Sequence, residues 1–97
     1  MEDIYKLLRS LEARNIHINQ AILFGSYAKG DYNEYSDIDI ALVSDAFEGF
    51  RIADNDKFRD LIIEINSDIS PLPYRTEDFT EDNLFVKEIL KYGIRII

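Results

Sequence analysis

A glycine-serine turn at the end of an apolar run, followed ten residues later by two aspartates spaced one residue apart, is the part of this 97-residue chain that could do chemistry. The run Ala21-Ile22-Leu23-Phe24 reads as a short buried strand stopped by Gly25, and Ser26 opens a short helical turn, Tyr27-Ala28-Lys29. Such a junction aims backbone N–H groups and a hydroxyl outward, which holds phosphate oxygens without needing a basic residue, and Gly25 lets a phosphate come close. Lys29 has the length to reach a triphosphate oxygen. Asp37 and Asp39 head the segment Asp37-Ile38-Asp39-Ile40-Ala41-Leu42-Val43, whose period of two puts both carboxylates on one side with Ala41 and Val43. Their Cα atoms would stand about 6.8 Å apart, close enough to bridge a pair of divalent cations. Asp-x-Asp alone is more often just an exposed polar face of a sheet. Strands disfavour Asp, however, and two repelling carboxylates at the head of an otherwise apolar strand call for a compensating cation.

The elements that must position these residues follow from hydrophobic spacing. Ile4, Leu7, Leu8 and Leu11 recur at i, i+3, i+4 and i+7 and predict an amphipathic helix over residues 3–14, with Glu2 and Asp3 at its start and Arg14 at its end. Residues 16–24 and 37–43 read as strands. Phe58, Leu61, Ile62 and Ile65 predict one helix over residues 52–66. Residues 67–74 read as a third strand, which Pro71 and Pro73 place at a sheet edge or leave only partly paired. A last helix carries Val86, Ile89 and Leu90 as its apolar stripe, with Asp82 as N-cap and Gly93 as a left-handed C-terminal residue. Ile94, Ile96 and Ile97 could add a short strand. With no repeat and no linker, the expectation is one α/β (α+β) domain over residues 1–97, a small mixed sheet with helices packed against it.

Composition narrows the chemistry. Nineteen acids against eleven bases give a formal net charge of −8, which opposes attraction to DNA or to anionic membranes and requires any bound polyanion to meet local positive charge. Zero Cys excludes disulfides and thiol chemistry, and a single His (His17) rules out an ordinary zinc site, so any metal would be a hard cation held by oxygen. Neither a secretion signal nor a membrane-spanning run is legible, and the expected location is cytoplasmic. Tyr27, Tyr32 and Tyr35 crowd the loop ahead of the acids and suggest a surface where a partner docks. Tyr27 and Tyr35 could also lie against a base or ribose.

Gly25-Ser26, ten residues, then Asp37-x-Asp39 resembles the nucleotidyltransferase superfamily of DNA polymerase beta type, specifically its minimal nucleotidyltransferases, known as antitoxin partners of HEPN-domain toxins. The resemblance implies that Gly25 and Ser26 contact nucleotide phosphates and that Asp37 and Asp39 bind two Mg²⁺ ions. It also implies a third carboxylate on a neighbouring strand, which completes the metal site and can accept the proton of an attacking hydroxyl. Asp68 stands where that acid falls, with Glu64, one turn earlier on the preceding helix, as the fallback.

The implied reaction moves a nucleoside monophosphate, AMP from ATP, onto a hydroxyl of a protein partner such as a HEPN toxin. A different class of reading is a binding module that neutralises its partner by occlusion and keeps the motif as a remnant. At this length there is no room for a separate acceptor domain, so catalysis would need a second chain or a small-molecule acceptor.

Overall fold

In a computed structural model, which describes residues 2–97, the stripe Ile4, Leu7, Leu8 and Leu11 forms the buried side of α1 (Glu2–Ala13). The helix closes where Asn15 takes a positive φ of 64° and the Ile16 amide reaches back to the Leu11 carbonyl at 3.0 Å, a left-handed stop that Asn tolerates. Extended chain carrying buried Ile16 and Ile18 then leads into β1 (Gln20–Phe24), shorter than the 16–24 expected because ladder pairing begins only near Asn19 and Gln20. The turn α2 (Ser26–Lys29), β2 (Ile38–Val43), α3 (Arg51–Asp56), α4 (Arg59–Ile65), β3 (Ile69–Tyr74), α5 (Leu84–Tyr92) and β4 (Ile94–Arg95) follow.

The sheet is mixed, with strand order β3-β2-β1-β4. β1 runs antiparallel to β2 and to β4, and β3 runs parallel to β2. The prolines of β3 therefore sit on an edge strand, as their missing amides demand. β2 divides the core by its alternation. Ile40 and Leu42 join Ile4, Leu7, Leu11, Phe58 and Leu61 under α1 and α4, whereas Ala41 and Val43 meet Ile22, Phe79, Val86 and Ile89 under α5. Asp39 continues the second row toward the open end of the sheet, where the register sets it between Phe24 and Ser70.

Four expectations require correction. The single helix over 52–66 is two helices, because the Lys57 and Phe58 amides bond to the carbonyls three residues back and Phe58 leaves helical geometry (φ −139°, ψ 9°). That tightening accompanies the burial of Phe58, 6.0 Å from the Phe47 ring in an edge-on contact. The N-cap of α5 is Asn83, not Asp82: Asn83 Oδ1 accepts from the Phe85 and Val86 amides at 2.9 and 3.3 Å. Gly93 is not left-handed (φ −74°). A side chain there would overlap the Ile89 carbonyl and the Ile22 methyl, so glycine serves the close approach of the chain to β1 as β4 begins. Leu90 also turns outward instead of joining Val86 and Ile89 in the core.

Candidate active site

Gly25 ends β1 with φ 72° and ψ −150°, a conformation that essentially only glycine adopts without strain. A Cβ built at this position would overlap the Asp39 carboxylate, so the missing side chain is also what admits Asp39 to the junction. The next residues close α2 tightly: the Lys29 amide donates to the Gly25 carbonyl at 3.1 Å, and the Gly30 and Asp31 amides donate to the Ser26 carbonyl at 3.0 and 3.2 Å. No side chain caps the N-terminus of this turn. The loop that returns to β2 is fixed by its own polar groups, since the Tyr35 amide donates to Asn33 Oδ1 at 2.8 Å and the Asn33 amide to Ser36 Oγ at 3.0 Å. Asp37 follows directly and is exposed, while Asp39 is half-buried.

Burial first, and the like charge of Asp37 second, push the Asp39 carboxyl above its ordinary value. Among the described residues neither acid has an ion-pair partner. A close, uncompensated pair of carboxylates is the oxygen donor set that Mg²⁺ takes when substrate phosphates and water supply its remaining ligands. Asp37 and Asp39 therefore fit the metal that the motif implies.

A cleft of about 310 Å³ opens beside this pair, between the α2 turn and α5. Gly25, Lys29 and Asp39 line it together, and Phe24, Phe85, Glu88 and Tyr92 form much of its other wall. The sequence reading missed this second wall. Its signal was present: 85, 88, 89 and 92 recur at i, i+3, i+4 and i+7, one continuous flank of α5. Ser26 sits at the start of α2 next to the cleft without lining it.

The two candidates for a third acid fall in different places. The Asp68 carbonyl accepts the Ile38 amide at 2.8 Å, one step before the Ile38–Ile69 pairing, so Asp68 stands across from Asp37 at the open end of the sheet. It does not open the strand as expected but lies in the turn before β3, its amide donating to Asn66 Oδ1 at 2.9 Å. Glu64 belongs to α4, packed on the α1 side, where its charge acts on Arg14. Among the described residues no three of His, Cys, Asp and Glu gather closely enough to hold an ion. Asp68 thus stands at the same end of the sheet as the pair without closing on it. Of the loop tyrosines, Tyr27 stacks on Tyr32 (ring centroids 4.3 Å apart, 8° between planes), and Tyr35 is 87% exposed.

A mixed sheet with a glycine turn set against paired acids at its open end is the arrangement expected of a protein of the nucleotidyl-transfer class. The chain belongs to the nucleotidyltransferase domain family, which it matches over residues 4–96. Over 87 residues it is 32% identical to the Methanocaldococcus jannaschii protein named "Putative protein adenylyltransferase MJ0141", covering 81% of this chain and 79% of that one. A 28-residue stretch is 68% identical to "Putative protein adenylyltransferase MJ0604" of the same organism, 29% of this chain and 28% of the relative. The fold matches the crystal structure of a toxin-antitoxin with AMP-PNP at a TM-score of 0.66, with 26% identity, over 99% of this chain and 71% of that one. Among the described residues no helix is long and apolar enough to cross a membrane.

Proposed function

We propose that this chain transfers AMP from ATP to a hydroxyl on a protein partner, a toxin of the HEPN type. The observation that carries the reading is the half-buried Asp39, seated against Gly25 with its charge uncompensated and facing a nucleotide-sized cleft. The names of the two archaeal relatives support protein adenylylation, and the AMP-PNP-bound toxin-antitoxin supports both ATP and a protein partner. The acidic chain is read as a cytoplasmic unit with no affinity for DNA.

In this reading Gly25, Ser26 and Lys29 hold the phosphates, Asp37 and Asp39 would hold Mg²⁺ together with those phosphates, and Asp68 would complete a two-ion site only once substrate draws it in. Bound Mg²⁺ would neutralise phosphate charge and lower the energy of the attacking oxygen. The hydroxyl oxygen forms a bond to the α-phosphorus, the bond from that phosphorus to the bridging oxygen breaks in line, and pyrophosphate leaves. The hydroxyl proton passes to Asp68, whose exposed position across from Asp37 at the end of the sheet suits a proton acceptor at the mouth of the site.

A second reading, neutralisation by occlusion without transfer, is favoured by a separate feature. Phe50, Ile52 and Ile63 are 72%, 77% and 70% exposed on and beside α3 and α4, and large outward apolar side chains of this kind mark partner surfaces. The test is intact mass of the co-purified partner after incubation with ATP and Mg²⁺. A gain of one AMP that disappears in Asp37→Ala/Asp39→Ala supports transfer. An unmodified partner that stays inhibited by both proteins supports occlusion.

A further inference from the structure

The cleft has two chemically different ends, and the reading above uses only one of them. At one end stand Gly25, Lys29 and Asp39, all suited to phosphate and metal. At the other, α5 presents Phe85, Glu88 and Tyr92 from consecutive turns of one flank. This flank lies beside the core stripe rather than in it. Val86 and Ile89 face the sheet and are buried, while Phe85 and Tyr92 remain 48% and 55% exposed. Phe85 is held in place by an edge-on contact with Phe24, ring centroids 5.8 Å apart, so a half-exposed aromatic surface is fixed at the cleft. Glu88 is exposed and has no ion-pair partner among the described residues.

We infer that this flank of α5 is the nucleoside subsite: Phe85 and Tyr92 receive the base on their rings, and Glu88 accepts a hydrogen bond from an exocyclic amino group. The inference rests on the nucleotide reading of the Gly25–Asp39 end. A triphosphate anchored there has its base directed along a cleft that Gly25, Lys29 and Asp39 line together, and the opposite wall of that cleft is aromatic. Every base has a π-face, so the rings give affinity, whereas an ionised carboxylate only accepts hydrogen bonds and so favours a base bearing an amino group.

The experiment is calorimetric titration of the whole chain, in Mg²⁺, with ATP, purine riboside triphosphate (which lacks the amino group) and inorganic tripolyphosphate. Wild type is expected to bind ATP at least tenfold more tightly than tripolyphosphate, a margin of the size that base stacking supplies. Phe85→Ala and Tyr92→Ala should erase most of that margin while leaving tripolyphosphate affinity unchanged, and Tyr92→Phe should keep it. Glu88→Met should abolish the preference for ATP over purine riboside triphosphate. Because both rings are half outside the core, the alanine variants are expected to melt close to wild type, which separates lost contact from lost fold. Equal binding of ATP and tripolyphosphate by wild type, or an intact margin in Phe85→Ala and Tyr92→Ala, overturns the subsite and leaves the phosphate end standing. Failure of wild type to bind either ligand overturns both readings together.

Discussion

Asp54 and Asp39 are both withdrawn from solvent in the same small chain, yet their surroundings are opposite. Asp54 is 1% exposed and accepts the Glu48 and Gly49 amides at 2.8 and 2.9 Å, with the Lys57 ammonium 3.6 Å away. Its charge is met on every side, and it ties the loop before α3 to the helix itself. Asp39 is half-buried, accepts no hydrogen bond from the described residues, and faces a second carboxylate. A buried acid whose donors are all supplied by the chain holds the fold together, whereas one left short of donors beside a like charge, and facing a cleft, awaits a ligand.

Gly25→Ala breaks the comparison most severely. A methyl group there must displace the Asp39 carboxylate, and the backbone conformation costs a non-glycine residue about 1–3 kcal/mol. We expect transfer to fall by about 10²-fold, since misplacement of a reacting group by about 1 Å costs that much, together with a lower melting temperature. Steady-state kinetics and thermal melting read the two effects. An active variant would mean that Asp39 does not depend on the glycine.

The two acids should then respond oppositely to neutralisation. Asp54→Ala strands the Glu48 and Gly49 amides, while Lys57 keeps its closer partner Glu48 at 2.7 Å, and should cost about 3 kcal/mol in urea denaturation. Asp39→Asn relieves the repulsion from Asp37 and should melt at or above the wild-type temperature in metal-free buffer, while losing transfer. If Asp39→Asn is the less stable of the two, the contrast is wrong.

A smaller effect sharpens the opposite face of the sheet, where charges are paired. A hydrogen bond from Arg14 Nη1 at 2.9 Å, reinforced by its charge, holds the Asp60 carboxyl below the ordinary carboxylate range. A lowered folded value contributes stability above the unfolded pKa of about 4, and that contribution is lost as pH falls through the folded value. Asp60→Asn should therefore lower the melting temperature slightly at pH 7, and the difference from wild type should close below pH of about 4. A constant difference across that range would rule out the ion pair as its cause.

Much of this was legible in the residues, for physical reasons that differ by element. The α1 stripe and the alternation of β2 are strong periodic signals, and Pro71 and Pro73 announce an edge because a missing amide cannot be hidden in a sheet centre. The Gly25-Ser26 turn and the Asp37/Asp39 pair could be read because their chemistry is local in sequence. The break at Phe58 could not, since the same apolar spacing serves one helix or two and only the fit against Phe47 decides. Asp54 was silent for a similar reason: its donors are backbone amides, which have no residue identity. Gly93 was misread because glycine after a helix usually supplies a positive φ, and here its value is close packing on β1. The aromatic flank of α5 escaped notice because its spacing continues the core stripe, and exposure, which periodicity cannot supply, is what distinguishes the two.

The proposed transfer requires Asp37 and Asp39 to bind a cation together with a triphosphate. The direct measurement is the melting temperature of wild type and of Asp37→Ala/Asp39→Ala, each in metal-free buffer and with Mg²⁺ and ATP. A ligand present at about 100 times its dissociation constant stabilises the folded state by about 2.7 kcal/mol, so wild type should melt several degrees higher with both added and the double variant should not move. An equal shift in the two proteins, or none in wild type, would contradict the account.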